Sequence, residues 1–387
     1  MPRPQFCPNP RCDAHHRPSH AWRVAYGSYH TVAHGTVRRY RCRTCGRTVS
    51  DQTESIHYFA KRRLPLRAIS ASLLSGASQR EIARRYRVSP MAIQHAVLRL
   101  GRQAMAAHVL MLHELPPLRA IAFDGLRSFV GSHDYPCDLT TVVSRVGEVV
   151  VDIDHAIMRR SGRMTTTQYH RTVAKYRVWR PKVGSFTSSI ARIGAEILNH
   201  LRPGDDAPMV IDTDEHPVYA RMIARHSALA HMRRCGLLRH RQTSSRAART
   251  TANRLFPVNY IDRLLRHRVR EHTRETIAFG RHAGMQMHRA WLFAWDHNVC
   301  REYRVKRPEL GVHLQRLGVA PEVVRRMRQC FFTRRIRVCR CVVPASIKRV
   351  WTGTVETPPL RWKCGQRGSS VRVPAFALRD LTYQQAC

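Results

Sequence analysis

Two tight pairs of cysteines constrain the folding of this chain more than any other feature. Cys7 and Cys12 lie in CPNPRC, and Cys42 and Cys45 lie in CRTCG. The segment between the two pairs alternates as a strand does. Two such pairs can close a tetrahedral thiolate site, which is the ligand set of structural zinc. The pattern predicts a zinc ribbon whose four thiolates leave no open position, so the ion would be structural and not catalytic.

The cysteines also bear on the compartment. The chain contains 12 of them, and its first residues, MPRPQFC, lack the apolar core of a signal peptide. No segment reaches the roughly 18 uninterrupted apolar residues that a membrane span needs. We therefore expect a cytoplasmic protein, without a membrane partner, whose thiols are free or bound to metal. Free thiols are the alternative to the zinc site, and one ligand could instead be a nearby histidine: His15, His16 or His20.

A strong excess of positive charge runs through the whole chain. Lys and Arg number 67 against 26 Asp and Glu, which gives a formal net charge of +41, and nearly all of the basic residues are Arg. Charge this one-sided repels itself unless a polyanion binds, and the polyanion we expect is double-stranded DNA. GC-rich codon usage would explain the choice of Arg over Lys but not the excess. With 43% hydrophobic residues, the chain is not a disordered basic tail.

Residues 62–105 are predicted to be helical and to bind DNA. The tetrapeptide SQRE, which starts at Ser78, has the pattern of a capping box, and Ser89 followed by Pro90 is typical of a second helix start. The apolar spacing between them favours two short helices packed across a turn, as in a helix-turn-helix. A pair of helices that packs on a neighbouring domain is the alternative. In a helix-turn-helix, four side chains would face base edges in a major groove: Met91, Gln94, His95 and Arg99.

Strands and longer helices are predicted between residues 115 and 304. Helical spacing occupies residues 185–201, 259–279 and 287–303. Apolar, strand-like runs occupy residues 118–130, 139–146, 148–157 and 207–220. The order is three strands, a helix, a strand and then helices. This is the element order of a ribonuclease-H-like mixed sheet flanked by helices, within a multidomain chain of α+β or α/β class.

Acidic residues end the two most apolar of these runs. Asp124 follows AIAF, and Asp214 ends MVIDTD, with Asp212 two residues earlier on the same face. Two-metal phosphoryl transfer needs carboxylates from separate elements that converge on ions roughly 4 Å apart. The pattern therefore predicts a site for Mg²⁺ or Mn²⁺. Each acid taken singly could also be an ordinary cap or turn residue.

Several segments resemble bacterial insertion-sequence transposases of the DDE, ribonuclease-H-like superfamily. CPNPRC and RYRCRTCGRTVS, followed by the helix-turn-helix, are similar to the N-terminal module of several such enzymes. DTDEHPVYA resembles the second-aspartate motif, FPVNYIDRLLRHRVREHTRETIAFGR the third motif, and WDHNVCREY a closing Asn-x-x-Arg helix. The resemblance spans residues 1–303. It implies Mg²⁺-dependent nicking of transposon ends and strand transfer into target DNA during DNA recombination, by homo-oligomers on paired ends.

The resemblance also implies a catalytic triad. Asp124 matches the first acid, and Asp214 matches the second better than Asp212, because Glu-His-Pro-x-Tyr follows it directly. The third position usually holds Glu, whereas this chain has Asp262, which is one methylene shorter but still able to ligate hard cations. A copy that no longer cuts DNA is therefore an open alternative. Three other acids could take the third position: Glu271, Glu275 or Asp296.

Basic side chains recur along the helix of the third motif. A solvated helix face, neutralised by Glu271 and Glu275, is one interpretation. A stripe along the phosphate backbone of DNA is the other, formed by residues at three- and four-residue spacing: Arg263, Arg266, Arg270 and Arg274. Residues 158–184 add a basic insertion with Tyr and Trp, either a DNA contact or a linker.

Residues 305–387 are predicted to form a small basic domain. A helix at residues 321–332 and strand-like runs at residues 334–343, 347–355 and 370–378 indicate a mostly-β fold. Five cysteines in this segment match no tight pair, so we expect them to pack as small apolar residues and not to bind a second metal: Cys330, Cys339, Cys341, Cys364 and Cys387.

These patterns divide the chain into a zinc ribbon (1–57), a helix-turn-helix (62–105), a catalytic domain (115–304) and a C-terminal domain (305–387). They favour a DDE-type transposase. The alternative is an inactive or domesticated zinc-ribbon and helix-turn-helix DNA-binding protein, which has no need of acids at strand ends. A ribonuclease-H-like nuclease without strand transfer would share the acids.

Overall fold

The computed structural model describes residues 3–9, 11–204, 207–274, 276, 278–338, 341–359 and 370–382. Over these residues the protein is of mixed α/β class, with a three-stranded and a five-stranded sheet. None of the helices in this part of the chain is long and apolar enough to cross a membrane.

The N-terminal sheet is built around the cysteine pairs. After a short helix, α1 (Asp13–His16), the chain forms three antiparallel strands: β1 (Arg23–Thr31), β2 (Gly35–Cys42) and β3 (Thr48–Ser50). Trp22 and Val49 pack with three of the cysteines in a hydrophobic cluster of their own. A core this small is marginal without a further crosslink, and a metal ion is one way to supply it.

Three helices follow the N-terminal sheet: α2 (Leu66–Leu74), α3 (Gln79–Arg85) and α4 (Pro90–Leu112). Both predicted helix starts are confirmed, since the hydroxyl groups of Ser78 and Ser89 accept backbone amides of the first turns of α3 and α4. α4 is longer than the sequence indicated, and its second half is buried. There His108 donates from Nε2 to the carbonyl of Val151 at 2.8 Å. The boundary expected between residues 105 and 115 therefore lies inside or just after a helix that enters the main core.

The five-stranded sheet combines an antiparallel meander with two parallel strands. In chain order its strands are β4 (Ala120–Val130), β5 (Ser132–Ser144), β6 (Val150–Ile157), β7 (Met209–Asp214) and β8 (Leu238–Thr243). Across the sheet the order is β6–β5–β4–β7–β8; β5 is antiparallel to β4 and β6, and β7 and β8 run parallel to β4. The first four strands overlap the four predicted runs. β8 was not predicted, because Leu238 is its one buried side chain.

Helices connect the strands and cover the sheet: α5 (Thr166–Val178), α6 (Ser185–His200), α7 (Pro217–Arg225), α8 (Ser227–Arg234), α9 (Phe256–Arg268) and α10 (Ala283–Trp295). α6 packs on β6, and α10 packs on α4. A π-helical turn, Asp296–Cys300, continues α10. It buries Asn298, whose side chain both donates to and accepts from the backbone of Val150.

The predicted basic insertion contains α5 and is docked on the sheet. Buried Asp134, on β5, pairs with Arg160 at 2.8 Å and with Lys175 at 2.6 Å, and accepts the hydroxyl of Thr172 at 2.9 Å. Part of the positive charge of the insertion is therefore neutralised inside the fold. The segment is an ordered part of the core and not a free linker.

The C-terminal segment is helical where the sequence indicated strands: α11 (His313–Leu317), α12 (Pro321–Phe331), α13 (Ala345–Trp351) and α14 (Ala375–Thr382). No described residue after Thr243 belongs to either sheet. The expectation of a mostly-β fold for residues 305–387 is therefore wrong for the described part. In α13 the buried side chains of Ile347, Val350 and Trp351 follow helical spacing, which their β-branched and aromatic character had obscured.

One hydrophobic core joins the helices, the five-stranded sheet and the C-terminal segment, and it includes residues from Ile56 to Leu381. Gln103 on α4 shows how closely the parts are connected. Its side chain donates to the carbonyl groups of Phe331 and Arg334 and accepts the amide of Ile336. The helix-turn-helix region and the C-terminal segment are therefore packed into the same core as the sheet, while the N-terminal sheet keeps its own.

Candidate functional site

Four cysteines meet at one end of the N-terminal sheet. The Sγ atoms of Cys7 and Cys45 are 3.5 Å apart, those of Cys12 and Cys42 are 3.7 Å apart, and all four lie within 4.8 Å of one another. With Zn–S bonds of about 2.3 Å, the sulfur atoms of a tetrahedral site stand about 3.8 Å apart. The donor set and its spacing therefore fit a structural metal such as zinc, as the sequence predicted.

Local backbone contacts hold the four sulfur atoms in place. Cys42 ends β2, and Cys45 stands in the turn that Gly46 closes, with a φ of 69° and an amide donated to the carbonyl of Cys42 at 3.0 Å. His15 hydrogen-bonds through Nδ1 to the carbonyl of Cys7 at 2.6 Å, so it supports the loop and does not replace a cysteine. Burial raises the pKa of the Cys7 thiol. A bound metal ion would displace that proton, and its bonds to the four thiolates would offset the crowding of the sulfur atoms.

Asp124 and Asp214 lie on neighbouring parallel strands. The register of β4 with β7 ends with Ala122 opposite Asp212, and Asp124 and Asp214 each follow two residues later. They lie near enough for the charge of Asp214 to raise the pKa of Asp124. Side chains two residues apart share a face of a sheet, so both carboxylates follow the same face as Ala122 and Asp212. Asp124, which the sequence placed at a strand end, lies inside β4 and accepts the Gly125 amide at 2.7 Å. Asp214 is the last residue of β7.

Asp262 comes to the same place from a helix. It lies on α9, which packs across β4 and β5. Its Oδ1 is buried and has no hydrogen-bond partner among the described residues. Burial raises the pKa of Asp262 well above its usual range, and the charge of Asp124 adds to the rise. A buried carboxylate oxygen without a donor is unfavourable unless a proton or a cation meets it.

A fourth acid, Asp138 on β5, was missed by the sequence analysis. It lies against Gly125, where the Cβ of any other residue would overlap its carboxylate. The hydroxyl of Thr140 donates to Asp138 at 2.7 Å, and Nε of Arg127 lies 3.4 Å from its other oxygen. The sequence signal was an Asp next to an apolar run, but the predicted strand began one residue later, at Leu139.

The carboxylates in this group, which we call the acidic site (Asp124, Asp138, Asp214 and Asp262), influence one another. Burial raises the pKa of Asp124 to about 6 and that of Asp138 to about 7, and nearby carboxylates add to both shifts. Burial and the same acids also raise the pKa of Tyr219, whose hydroxyl donates to Asp124 at 3.5 Å. The acidic site therefore favours bound protons or cations over free negative charge.

Two of the other candidates for the third acid, Glu271 and Asp296, are engaged in ion pairs. Glu271 is buried and paired through both oxygens with the guanidinium of Arg289. Asp296 pairs with Arg268 at 2.8 Å. Asp262 has no such ion pair among the described residues, which leaves it as the available acid on this side.

Asp212, the alternative to Asp214, is engaged in ion pairs. Its side chain is fully buried between Arg241, at 2.7 Å and 2.8 Å, and Arg145, at 3.2 Å. These ion pairs link β7 to β8, which carries Arg241, and to Arg145, which follows β5. The choice of Asp214 over Asp212 made from the sequence agrees with this arrangement.

The four side chains predicted to read bases do not all face outward. The guanidinium of Arg99 donates to the carbonyl groups of Ile56 and Tyr58 at 2.6 Å and 2.8 Å. Arg99 therefore fastens the connection between the N-terminal sheet and α2, and the expectation that it faces a major groove is wrong. The other three are fully or partly exposed on the first turns of α4: Met91, Gln94 and His95.

The predicted stripe of four arginines is divided between elements. α9 ends at Arg268, and the extended backbone of Val269 separates it from a 3-10 turn, so the helix predicted over residues 259–279 is too long. Arg266 donates to the carbonyl groups of Arg127 and His272 and is only partly exposed. The other three are exposed: Arg263, Arg270 and Arg274.

A basic pocket of about 640 Å³ adjoins the acidic site. Arg127 connects the two, because it contacts Asp138 and also lies over the ring of Phe186, another residue of the pocket. The predicted basic insertion, residues 158–184, supplies most of the charge. Among the described residues the walls contain no acid and include Arg127, Arg159, Arg160, Arg171 and His216. Arg160 and Arg171 also pair with buried Asp134, which neutralises part of this charge, and the positive charge that remains suits phosphate.

In the part of the chain that the structure describes, the four N-terminal cysteines are the one group of three or more ligands whose atoms all lie within 4.8 Å of one another. The carboxylates of the acidic site are therefore more widely spaced than a single compact metal site. Cys330 and Cys341 are half-buried and belong to no such group. Some earlier candidates lie outside the described residues: Glu275, Cys339, Cys364 and Cys387.

A scan against known protein families and a search of curated proteins both find no match for this chain. What the protein does has to be inferred from its own residues.

Proposed function

We propose that the protein is a DDE-type transposase that nicks transposon ends and transfers the strands into target DNA. The observation that carries the proposal is the position of Asp124, Asp214 and Asp262 on two adjacent parallel strands and on a helix packed across the sheet, where the charge of Asp124 acts on Asp262 and that of Asp214 acts on Asp124. The order of the five strands supports it too. A meander followed by two strands parallel to its first strand fits the ribonuclease-H-like sheet that the sequence resemblance implies.

The acidic site has the properties of a divalent-cation site. Asp262 offers an unpartnered buried oxygen, and burial, with a smaller contribution from neighbouring acids, raises the pKa values of Asp124 and Asp138. Carboxylate oxygens are the ligands that Mg²⁺ and Mn²⁺ prefer. When bound, such ions would supply activation of the attacking hydroxyl group and stabilisation of the leaving oxygen. Asp124, Asp214 and Asp262 would hold them, and Asp138 would add charge behind Asp124.

The basic groups next to the acidic site would hold the DNA strand. Arg127 lies between Asp138 and the basic pocket, so a phosphate bound there sits beside the acids. Exposed Arg263, in the middle of α9 and next to Asp262 in the sequence, adds positive charge to this helix. These contacts orient the scissile phosphate without reading sequence.

Specific DNA recognition is assigned in this proposal to the N-terminal part. The four-cysteine site stabilises the N-terminal sheet, and exposed Met91 and His95 on α4 contact bases. We further propose that the enzyme works in the cytoplasm at the nucleoid, as a homo-oligomer on paired transposon ends. The excess of positive charge in the chain supports a DNA partner.

A second candidate is a DNA-binding protein that has lost catalysis. One observation favours it: no three carboxylates of the described residues bring their ligand atoms within 4.8 Å of one another. The short third acid, Asp262 in place of the usual Glu, points the same way. Such a protein would keep the metal-stabilised sheet and the helix-turn-helix.

Strand transfer distinguishes the two candidates. Purified protein is mixed with a supercoiled plasmid and with the terminal DNA that flanks its own gene, in Mg²⁺ or in EDTA, beside an Asp124→Asn protein. Metal-dependent nicking and joining that disappear in the variant support the transposase. Nicking without joining supports a nuclease. Tight binding with neither supports the DNA-binding protein and overturns the proposal.

A further inference from the structure

A second basic cavity lies on elements other than those that carry the acidic site. It is a groove of about 1380 Å³ between the first turns of α4, the connection at residues 57–66 and the C-terminal residues 370–379. We call it the α4 groove. Among the described residues its walls contain no Asp or Glu, and they include Arg62, Arg87, Arg99, Arg102, Arg372 and Arg379. The groove exceeds the ~300–1000 Å³ typical of small-molecule sites, so its volume suits an extended polyanion.

Arg102 is the nearly buried arginine of the α4 groove that has no partner among the described residues. Its side chain is 9% exposed, lines the α4 groove, and makes no hydrogen bond or ion pair with any described residue. Burial lowers the pKa of Arg102 to about 9, and the neighbouring charge of Arg99 lowers it further. The nearest acid, Asp380, is already held through both oxygens by Arg335 at 2.6 Å. A guanidinium that is largely removed from water, has no paired acid and lines a cavity is stabilised by an anion that enters the cavity.

The rim of the α4 groove carries an aromatic pair. Phe59 is 62% exposed and holds a φ of 57°, which is uncommon for a residue with a bulky side chain. Its ring stacks on Phe376 with centroids 5.4 Å apart and an angle of 23°. Both residues line the groove. An exposed aromatic ring beside a row of arginines is the arrangement on which unpaired bases stack.

We infer that the α4 groove binds a single strand of nucleic acid, with a phosphate on Arg102 and a base on Phe59. A single strand fits better than a duplex, because duplex bases stack on each other and cannot stack on Phe59. Phosphate alone would satisfy Arg102 but leaves the exposed ring without a role. The site lies on elements other than those that carry the acids, and binding there needs no metal ion, so this inference goes beyond the proposed transposase activity.

The inference has a consequence for α4 itself. Met91, Gln94 and His95 line the same groove as Arg102. A bound single strand would therefore lie against the side chains that the sequence analysis assigned to duplex reading. The two modes of binding compete for one surface, and excess single strand should displace duplex DNA.

The test is binding of a labelled oligothymidine of about 20 nucleotides, which exceeds the ~4–16 that comparable grooves cover. Fluorescence anisotropy is measured with the full chain, its four-cysteine site loaded with zinc, in buffer without Mg²⁺ or Mn²⁺. Arg102→Met is expected to weaken binding about tenfold or more. The slope of the logarithm of the binding constant against the logarithm of the salt concentration should become less steep by about 0.7, the contribution of one phosphate contact on a single strand. Phe59→Leu is expected to weaken it about tenfold, because Leu keeps apolar bulk but has no ring face.

Arg325→Met is the matched control. Arg325 is exposed on α12, outside the α4 groove, and its replacement removes the same charge. It is expected to change binding less than about twofold. The inference is overturned if Arg102→Met binds the oligothymidine as well as the Arg325→Met control does. It is also overturned if Arg102→Met and Phe59→Leu each lose single-strand binding and duplex binding by the same factor.

Thermal unfolding guards against a folding artefact. Because Arg102 is buried without a partner, Arg102→Met is expected to unfold at the same temperature as the unchanged chain or at a higher one in the absence of nucleic acid. A lower unfolding temperature together with unchanged affinity would make Arg102 a packing residue and would also overturn the inference. Since these measurements contain no Mg²⁺ or Mn²⁺, an inactive acidic site does not affect their outcome.

Discussion

The four-cysteine site and the acidic site each gather four ionisable side chains, yet they are built in opposite ways. The cysteine sulfur atoms lie within 4.8 Å of one another in a small sheet with its own core. The carboxylates stand on two adjacent strands, a third strand and a helix of the main core, and are spaced more widely. The difference follows from what each would do. A structural ion needs a closed shell, whereas a catalytic pair of ions needs room for substrate.

The two sites also differ in what they do to the protein without a ligand. Neutral thiols tolerate crowding, and burial raises the pKa of Cys7. Carboxylates at neutral pH repel one another, and the pKa of Asp138 rises to about 7 as a result of burial first and of its acidic neighbours second. One site should therefore act on stability and the other on activity, and the following changes would separate the two.

Replacement of two cysteine ligands should have the largest effect, and it should stay local. Cys42→Ser combined with Cys45→Ser removes half of the thiolates from a site whose metal typically contributes about 10–16 kcal/mol in isolated zinc peptides. Bound zinc, measured by a colorimetric chelator, should fall to zero, and the amides of β1 and β2 should exchange rapidly. The main core should unfold near its original temperature, because it is a separate cluster. Unchanged zinc content would exclude these cysteines as ligands.

Asp124→Asn should abolish chemistry without loss of stability. Removal of one metal ligand typically reduces the rate about a thousandfold or more. The unfolding temperature should hold or rise, because a raised pKa marks a carboxylate that the fold disfavours. Asp212→Asn is the matched control on the neighbouring strand. It leaves Arg241 and Arg145 without their partner, so it should lower stability first. A variant that still nicks DNA at full rate would contradict the assignment of Asp124.

Protonation of three buried histidines should destabilise the main core as the pH falls from 6.5 to 4. Burial lowers the pKa of His108, His272 and His313 to about 4 each. Because the unfolded chain binds these protons near pH 6.5 and the folded one does not, their contribution is complete above pH 6.5 and is lost as the pH falls towards 4. Each histidine then removes about 1.4 kcal/mol per pH unit. Asp124 and Asp138, whose pKa values are raised by burial to about 6 and about 7, act with the opposite sign over the same window. The check is therefore the difference in thermal unfolding, at constant zinc, between the unchanged chain and a His108→Gln variant. That difference should shift against the unchanged chain as the pH falls from 6.5 to 4, and a difference that is independent of pH would contradict the burial of this ring.

The smallest effect is expected from the basic surface near the acidic site. Arg263→Ala removes an exposed charge that lies over the ring of Tyr260. Affinity for duplex DNA of any sequence should fall a few-fold, and the salt slope should decrease by about 0.9. Arg266→Ala should instead lower stability, since Arg266 donates to two backbone carbonyl groups. Equal effects of the two variants on DNA would contradict this division of the stripe.

Sequence reasoning found the features that short-range rules govern. Cysteine spacing alone identified the ligand group, because four thiolates within a short chain segment have few other arrangements. Asp124 and Asp214 were found because each interrupts or ends an apolar strand, and parallel pairing brings such positions together. Helix starts at Ser78 and Ser89 followed from side-chain capping, which is a local interaction.

The misses depend on contacts between distant segments. Nothing near Arg99 in the sequence indicates that the backbone at Ile56 and Tyr58 would take up its guanidinium. Asp138 could be identified only from the structure, in which Gly125 on the paired strand leaves space for its carboxylate. The C-terminal strands were predicted from β-branched residues such as Ile347, whereas packing on the sheet selects a helix there.

The length of α4 has a consequence for where such an enzyme would cut. The helix has 23 residues, which makes it about 35 Å long, or roughly one turn of B-form DNA. Its first turns carry the exposed Met91 and His95, and its last turns are fixed to the sheet through His108. A continuous helix neither stretches nor bends easily, so the distance from bound sequence to cleaved bond would be constant. The protein would then cleave at a fixed number of base pairs from the sequence that it binds.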